Sequence, residues 1–450
     1  MSKYNAKALI QGFGLEENDL NININAEHEG DKGEGDATDF GVGAGETPVA
    51  EVPAVETETV EAAVEEPAAV VEEDTSGTPE AAELDVADAG GGVAETNELI
   101  EDVSEAAEGL EGIALTLAQI SVEGLEVNAA AHAILLDQYK FVTRKFPALQ
   151  TEKKGIPSFE AFTVSEEGVT VSLEKVVDNL KSAGKALLQY LKDMWVKFLA
   201  LLNNVNAAIQ VMKKKATELS TAKVGTAPES VNIPGFISKI ASGTAVQDIT
   251  LLTEVIKNMT TARYESIIAA VTSGKDVSEA MKTINQTLIN KQGSGGQMLG
   301  GFKIEANEDG TVKATSTESG ESKSSKPFDQ AKVNATAKAV VDLASALEDY
   351  NRGESNRKKV NDFIISELAK GDVGSDDAGK IAKWKAARKA GTAWSKQIGF
   401  EQVVVRKAIS VGNAVNNVLA ASLGKAVKAA EGKTGGAPQI GEQTSRKGSW

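Results

Sequence analysis

Residue types that do nucleophilic, redox or metal chemistry near neutral pH are scarce in this chain. Cys is absent and His occurs twice, at His28 and His132, among 450 residues. Disulfide frameworks, Cys/His zinc sites and cysteine nucleophiles are thereby excluded, and a Ser-His-Asp triad would need one of those two histidines. His132 lies in an Ala-rich stretch, where a packed helix residue is the simpler reading. What the chain has in quantity is charge. "VMKKKATEL" brings together Lys213, Lys214 and Lys215, and "IAKWKAARKAGTAWSKQ" carries Lys383, Lys385, Arg388, Lys389 and Lys396 near Trp384 and Trp394. Cations spaced along a helix suit the phosphates of DNA, in a contact that ignores base sequence and weakens steeply with salt. The same residues could instead form a solvated helix face.

Carboxylates are commoner still, but none sits in a context that implies a catalytic pKa. "GSGGQMLGG" lacks the Gly-Lys-Ser/Thr ending of a phosphate-binding loop, and "GDVGSDDAGK" lacks the spacing and terminal Glu of an EF-hand. The latter reads as a turn. No catalytic residue, metal ligand or cofactor is expected, and the chain reads as a non-enzyme.

The charge is unevenly placed. Residues 1 to 111 hold 30 Asp/Glu against 3 Lys, a net of -27, while the whole chain is at -18 and residues 112 to 450 are at +9. "VEAAVEEPAAVVEED", residues 60 to 74, has six carboxylates and no basic residue. A section this acidic and this poor in aromatics cannot bury enough apolar surface to fold alone, so residues 1 to 96 are expected to be disordered. Such asymmetry points to an acidic tail opposing a basic partner or a basic body.

The elements that must position the charged residues are mainly helices, as the abundance of Ala, Glu and Lys favours. Over 97 to 160, Leu99, Val103, Ala106, Leu110, Ile113, Leu117 and Ile120 alternate spacings of four and three, an a/d seam suited to a partner helix and to a homo-oligomer. A second helix follows from about Leu125 to Phe146. Residues 161 to 225 open on "AFTVSEEGVTVSL", which alternates like a small hairpin, and continue as one long helix from Leu173 to about Ala222 that Gly184 could bend. Its apolar face includes Trp195 and Phe198 as core anchors. Residues 226 to 450 read as a helical body. It has two helices over 245 to 291 broken at "TSGKD", with Asp276 as a cap, and a hairpin near 300 to 317 turning at Asp309-Gly310. Two more helices over 328 to 370 split near Arg352-Gly353, and basic helices close the chain. The fold expected is a mainly α, elongated helical bundle with two small β-hairpins, preceded by the disordered acidic region. The opening "MSKYNAKALI" is too polar for a secretory signal, and no apolar run approaches a membrane span.

"EDVSEAAEGLEGIALTL", the Ala-rich stretch to "AAAHAILLDQYKFVTRKF", then "IPSFEAF" and the long helix resemble the internal head, or prohead core, proteins of large tailed phages, over roughly residues 97 to 205. The resemblance implies a precursor that co-assembles with capsid and core proteins in the host cytoplasm and ends inside the phage head. It also implies trimming by a head-maturation protease just after a Glu with a small or aliphatic residue two positions before it. Ala54-Val55-Glu56, Ala81-Ala82-Glu83, Ala106-Ala107-Glu108, Ser121-Val122-Glu123 and Ser158-Phe159-Glu160 match. The favoured bond follows Glu160, before Ala161, in a Pro-bracketed segment that a protease can hold extended. Glu83, Glu108 and Glu123 are the alternatives, and the bonds after Glu108 and Glu123 would require a helix to unwind. Residues 1 to 160 carry 35 acidic and 8 basic residues, so their removal leaves 161 to 450 at +9. The trimmed form would attract packaged double-stranded DNA that the precursor repels. The rival reading is a helical effector or translocator of a bacterial specialised secretion system, a class that is also Cys-free and helical. Secretion, however, gives no reason for an acidic section set against a basic body.

Overall fold

A computed structural model describes residues 5–13, 79–123, 129–144 and 166–424, apart from 224, 227, 290, 292–295 and 318–319. Among the described residues there are ten α-helices and two short antiparallel strand pairs. The longest helix, α4 (Glu166–Thr221), buries the stripe from Leu173 and Val176 through Leu187, Phe198 and Val205 to Met212. α10 (Ala378–Ser422) starts where Asp377 accepts hydrogen bonds from the Gly379 N–H, at 2.8 Å, and the Lys380 N–H. The aspartates of "GDVGSDDAGK" thus form a short 3-10 turn (Asp372–Gly374) and a helix cap. α10 buries residues on every side, including Trp384, Trp394, Val405 and Leu419, which marks it as a central helix.

α4 and α10 run parallel at a constant offset. Cβ atoms added at Gly184, Gly391 and Gly412 would lie 2.8 Å from Trp384, 2.9 Å from Leu191 and 2.0 Å from Met212. Gly184 therefore serves to seat an indole. α8 (Gln330–Arg352) lies antiparallel along α4, tied by Lys213–Glu348 at 2.6 Å near one end and by Gln330 donating to the Ala222 carbonyl near the other. It is followed by α9 (Glu354–Ala369), and the break between them falls at Arg352-Gly353.

The expected two helices of 245 to 291 are three: α5 (Ala245–Thr261), α6 (Glu265–Thr272) and α7 (Ser278–Ile289). The extra break at Ala262–Tyr264 delivers the Tyr264 ring to the core. At "TSGKD", Gly274 takes φ +67° and Asp276 accepts from the Ser278 N–H at 2.7 Å. β2 (Phe302–Ala306) and β3 (Val312–Ser316) form the expected hairpin, with Gly310 at φ +77°. The second strand pair is a different one from that expected. β1 (Val231–Ile233) pairs with β4 (Lys323–Ser325), about ninety residues on in sequence, and no local pattern announces it. In "AFTVSEEGVTVSL", residues 161–165 lie outside the described residues, and from Glu166 onward the chain is helical. The buried stripe of α4 overrides the β-branched alternation of Val169-Thr170-Val171.

Two parts of the section expected to lack structure are helical as well. α1 (Ala6–Phe13) buries Leu9 and Phe13, and α2 begins at Pro79 and runs to Glu123. Helix runs through Gly90-Gly91-Gly92 against propensity, and at Gly90 packing needs the space. A Cβ at Gly90 would stand 2.4 Å from the Gln402 amide, which donates to the Gly90 carbonyl at 2.7 Å. The apolar face of α2 is also wider than the seam the heptad spacing implies. Ile100, Ala107 and Ala114 join it and Leu99 is 42% exposed, since α2 packs on α4 and α10 together. The surface expected to bind another copy is thereby filled from within the chain. Fully burying side chains such as Val93, Ile100, Val103, Leu110, Ile113 and Leu117 stabilises by about 1.5–3 kcal/mol each, on the order of 10 kcal/mol together. α3 (Ala129–Arg144) rests on α2, and the side chain of His132 lies outside the described residues.

Candidate functional site: an acidic helix seated on a basic one

α2 runs antiparallel to α10, each step up one helix matched by a step down the other. Gln402 meets Gly90, Thr392 donates to Ser104 Oγ at 2.8 Å, and Glu111 meets both Arg388 and Lys385. The contact spans about 32 Å of helix at 1.5 Å per residue. Its centre is ionic. Arg388 is 0% exposed and its guanidinium donates to Glu111 Oε2 at 2.7 Å and to the Ser104 carbonyl at 3.3 Å, with Glu108 at 3.7 Å. Lys385 reaches Glu111 Oε1 at 2.7 Å and donates to the Phe13 carbonyl at 2.5 Å, the last residue of α1. Gly12 makes that approach possible, since a Cβ there would sit 2.5 Å from Ile381 Cβ. α1 and α2 thus cover the same basic stretch of α10.

The remaining cations divide. Lys389 pairs with Asp276 at 3.2 Å and Lys396 with Asp309 at 2.9 Å. These two pairs line a cleft of about 370 Å³ beside α2, where Glu101, Glu105 and Glu108 add further negative charge. Asp276 titrates low, at about 2. Its partial burial opposes this, but hydrogen bonds from Ser278 and the nearby Lys389 outweigh it. In the other basic group, Lys213 is tied to Glu348, Lys215 donates to Asn417, and Lys214 is exposed. Lys383 is the exposed member of its stretch. Trp384 and Trp394 are core residues, so they offer no ring to a base. Of eight candidate phosphate contacts, two therefore stand open on the surface as folded. Arg388 reaches no phosphate while α2 is in place.

Ser158, Glu160 and Ala161 lie outside the described residues, in the connection between α3 and α4, and Glu56, ahead of α2, lies outside them too. Glu83 and Glu108 are within α2, and Glu123 is its last residue. Among the described residues no group of three or more His, Asp or Glu is placed to hold a metal, and no helix is long and apolar enough to cross a membrane.

A model of the phiKZ-like phage internal head proteins matches residues 54–429. The chain belongs to that family. No curated protein and no solved structure matches it. As an internal head protein it has its place inside a phage head among capsid-associated partners, and the secretion-system reading is set aside. Its match begins well before α2, so the acidic helix belongs to the same family unit as the basic helix that it covers.

The sequence reading missed that Glu111 is a core residue of this internal head protein. The signal was present: Glu111 stands four residues after Ala107 and three before Ala114, on the apolar face of α2. A carboxylate there requires a buried cation, and Arg388 lies between Ala387 and Ala390-Gly391 on a helix of small residues. A second buried charge, Glu401, was also missed. It accepts hydrogen bonds from Arg357 Nε at 2.9 Å, Tyr350 Oη at 2.7 Å, Gln397 Nε2 at 3.0 Å and the Tyr264 hydroxyl, locking α8, α9 and α10 to the turn before α6.

Proposed function

We propose that this internal head protein is made as an acidic precursor that assembles with capsid and core proteins in the host cytoplasm. A head-maturation protease then trims it to a basic form that lies against packaged double-stranded DNA. Its role is structural and not catalytic. The observation that carries the reading is the seating of Glu108 and Glu111 on Arg388 and Lys385. Carboxylates of the front section occupy the very cations that would otherwise meet phosphate, as an intramolecular stand-in for DNA.

The favoured bond, Glu160–Ala161, separates α2 and α3 from everything that follows. A cut after Glu108 would fall in the middle of a packed helix, and proteases act on extended backbone. Contacts through Lys214 and Lys383, joined by Lys385 and Arg388 once uncovered, would be independent of base sequence and would weaken with salt. The intact mass and N-terminal residue of the protein from purified particles test the trimming. A chain starting at Ala161, or after another matching Glu, is the expected result. A chain starting at Met1 or Ser2 would sink the processing idea.

A further inference from the structure

We infer that cutting the connection between α3 and α4 does not release the acidic helix: the severed N-terminal piece stays docked as a separate chain on α4 and α10. The inference rests on the trimming reading for its biological setting and on the interface alone for its physics. α2 is held by its apolar face before it is held by charge. Ile100, Leu110 and Leu117 are 0% exposed, and the helix that carries them packs chiefly on α4 and α10, both in the part that follows the cut. Polar ties secure the N-terminal end of α2. Lys197 of α4 donates to Thr96 Oγ1 at 2.9 Å, and Gln402 of α10 donates to the Gly90 carbonyl at 2.7 Å. The Arg388–Glu111 pair is buried, so salt screens it far less than it screens surface pairs. α1 adds a second point of attachment through Phe13 and Lys385. A backbone cut at residue 160 touches none of these contacts.

The consequence concerns charge. A nicked protein that keeps its front piece keeps the full chain's net charge of -18, apart from the new termini, and keeps Arg388 covered. Losing only residues 1 to 78 would leave 46 acidic against 44 basic residues, a net of -2, so the change to +9 requires α2 itself to leave. Separation is then a second event after the cut, and α2 is the element that sets it.

The test uses the full chain with a site-specific protease sequence placed over residues 150–156, followed by complete cutting and gel filtration in 0.15 M and 1 M NaCl. The two pieces are expected to elute together, at the volume of the uncut protein, at both salt concentrations. Elution of the N-terminal piece by itself at either concentration overturns the inference. The variant Leu110→Asp/Leu117→Asp, cut in the same way, is expected to lose its front piece. Co-elution there would overturn the assignment of the grip to the α2 face. The phage protease plays no part, so separation would leave trimming intact. A Met1 start in particles would remove trimming and leave this result standing.

Discussion

At the scale of single residues, two buried carboxylates organise the molecule, and each makes a prediction. Glu111 neutralises Arg388 where both side chains are buried. Removing one partner of such a pair leaves a bare buried charge and costs about 3–5 kcal/mol, whereas replacing both by apolar groups of similar size is close to neutral. Glu111→Ala is therefore expected to lower the thermal midpoint strongly, and Glu111→Leu/Arg388→Met to restore most of it, as read by calorimetry. Around Glu401, burial together with the carboxylate's charge pushes the Tyr264 and Tyr350 hydroxyls well above their ordinary value of 10.0. The unfolded chain releases these protons near pH 10 and the folded chain holds them to higher pH. Their contribution to stability is thus complete below pH 10 and is lost as pH climbs past it. An absorbance titration of the five tyrosines should show two that ionise only with global unfolding. If all five titrated near pH 10 in the folded state, the buried network would be wrong.

At the scale of elements, what the sequence made legible were helices with a strong stripe or a clear stop. The stripe of α4, the split at Arg352-Gly353 and the hairpin at Asp309-Gly310 were readable because each is dictated by residues close in sequence. The N-terminal half of α2 was not readable, since three consecutive glycines argue against helix and the close approach that Gly90 permits is to Gln402 of α10, some three hundred residues away. The pairing of β1 with β4 was hidden for the same reason. The cations of α10 were legible as a group, but their exposure was not, because burial depends on which helix lies across them. α1 offers a clean test of this packing. Gly12→Val should clash with Ile381 Cβ and with the Ala378 carbonyl, 2.5 and 2.8 Å from a Cβ at Gly12. Hydrogen exchange should then show α1 losing protection while α4, α8 and α10 keep theirs. Protection of α1 equal to that of the parent would mean that its seat on α10 is not where the contacts put it.

At the scale of the whole molecule, charge is partitioned along the chain and then folded back on itself. The first 160 residues are at -27 and the rest at +9, and α1 and α2 of the first part lie on the most basic helix of the second. Under the proposed trimming, that arrangement would hold a DNA-avoiding form and a DNA-seeking form in one sequence, with α2 as the element between them. The most direct test is retention on double-stranded DNA resin across a salt gradient. Three samples are compared: the full-length protein, the protein cut between α3 and α4, and the cut protein stripped of its front piece in denaturant and refolded. The account predicts that the first two pass through even at low salt, while the third is retained and released as salt rises. Passage of the third sample at low salt, or equal retention of all three, would contradict the claim that the acidic helix covers a DNA-binding face.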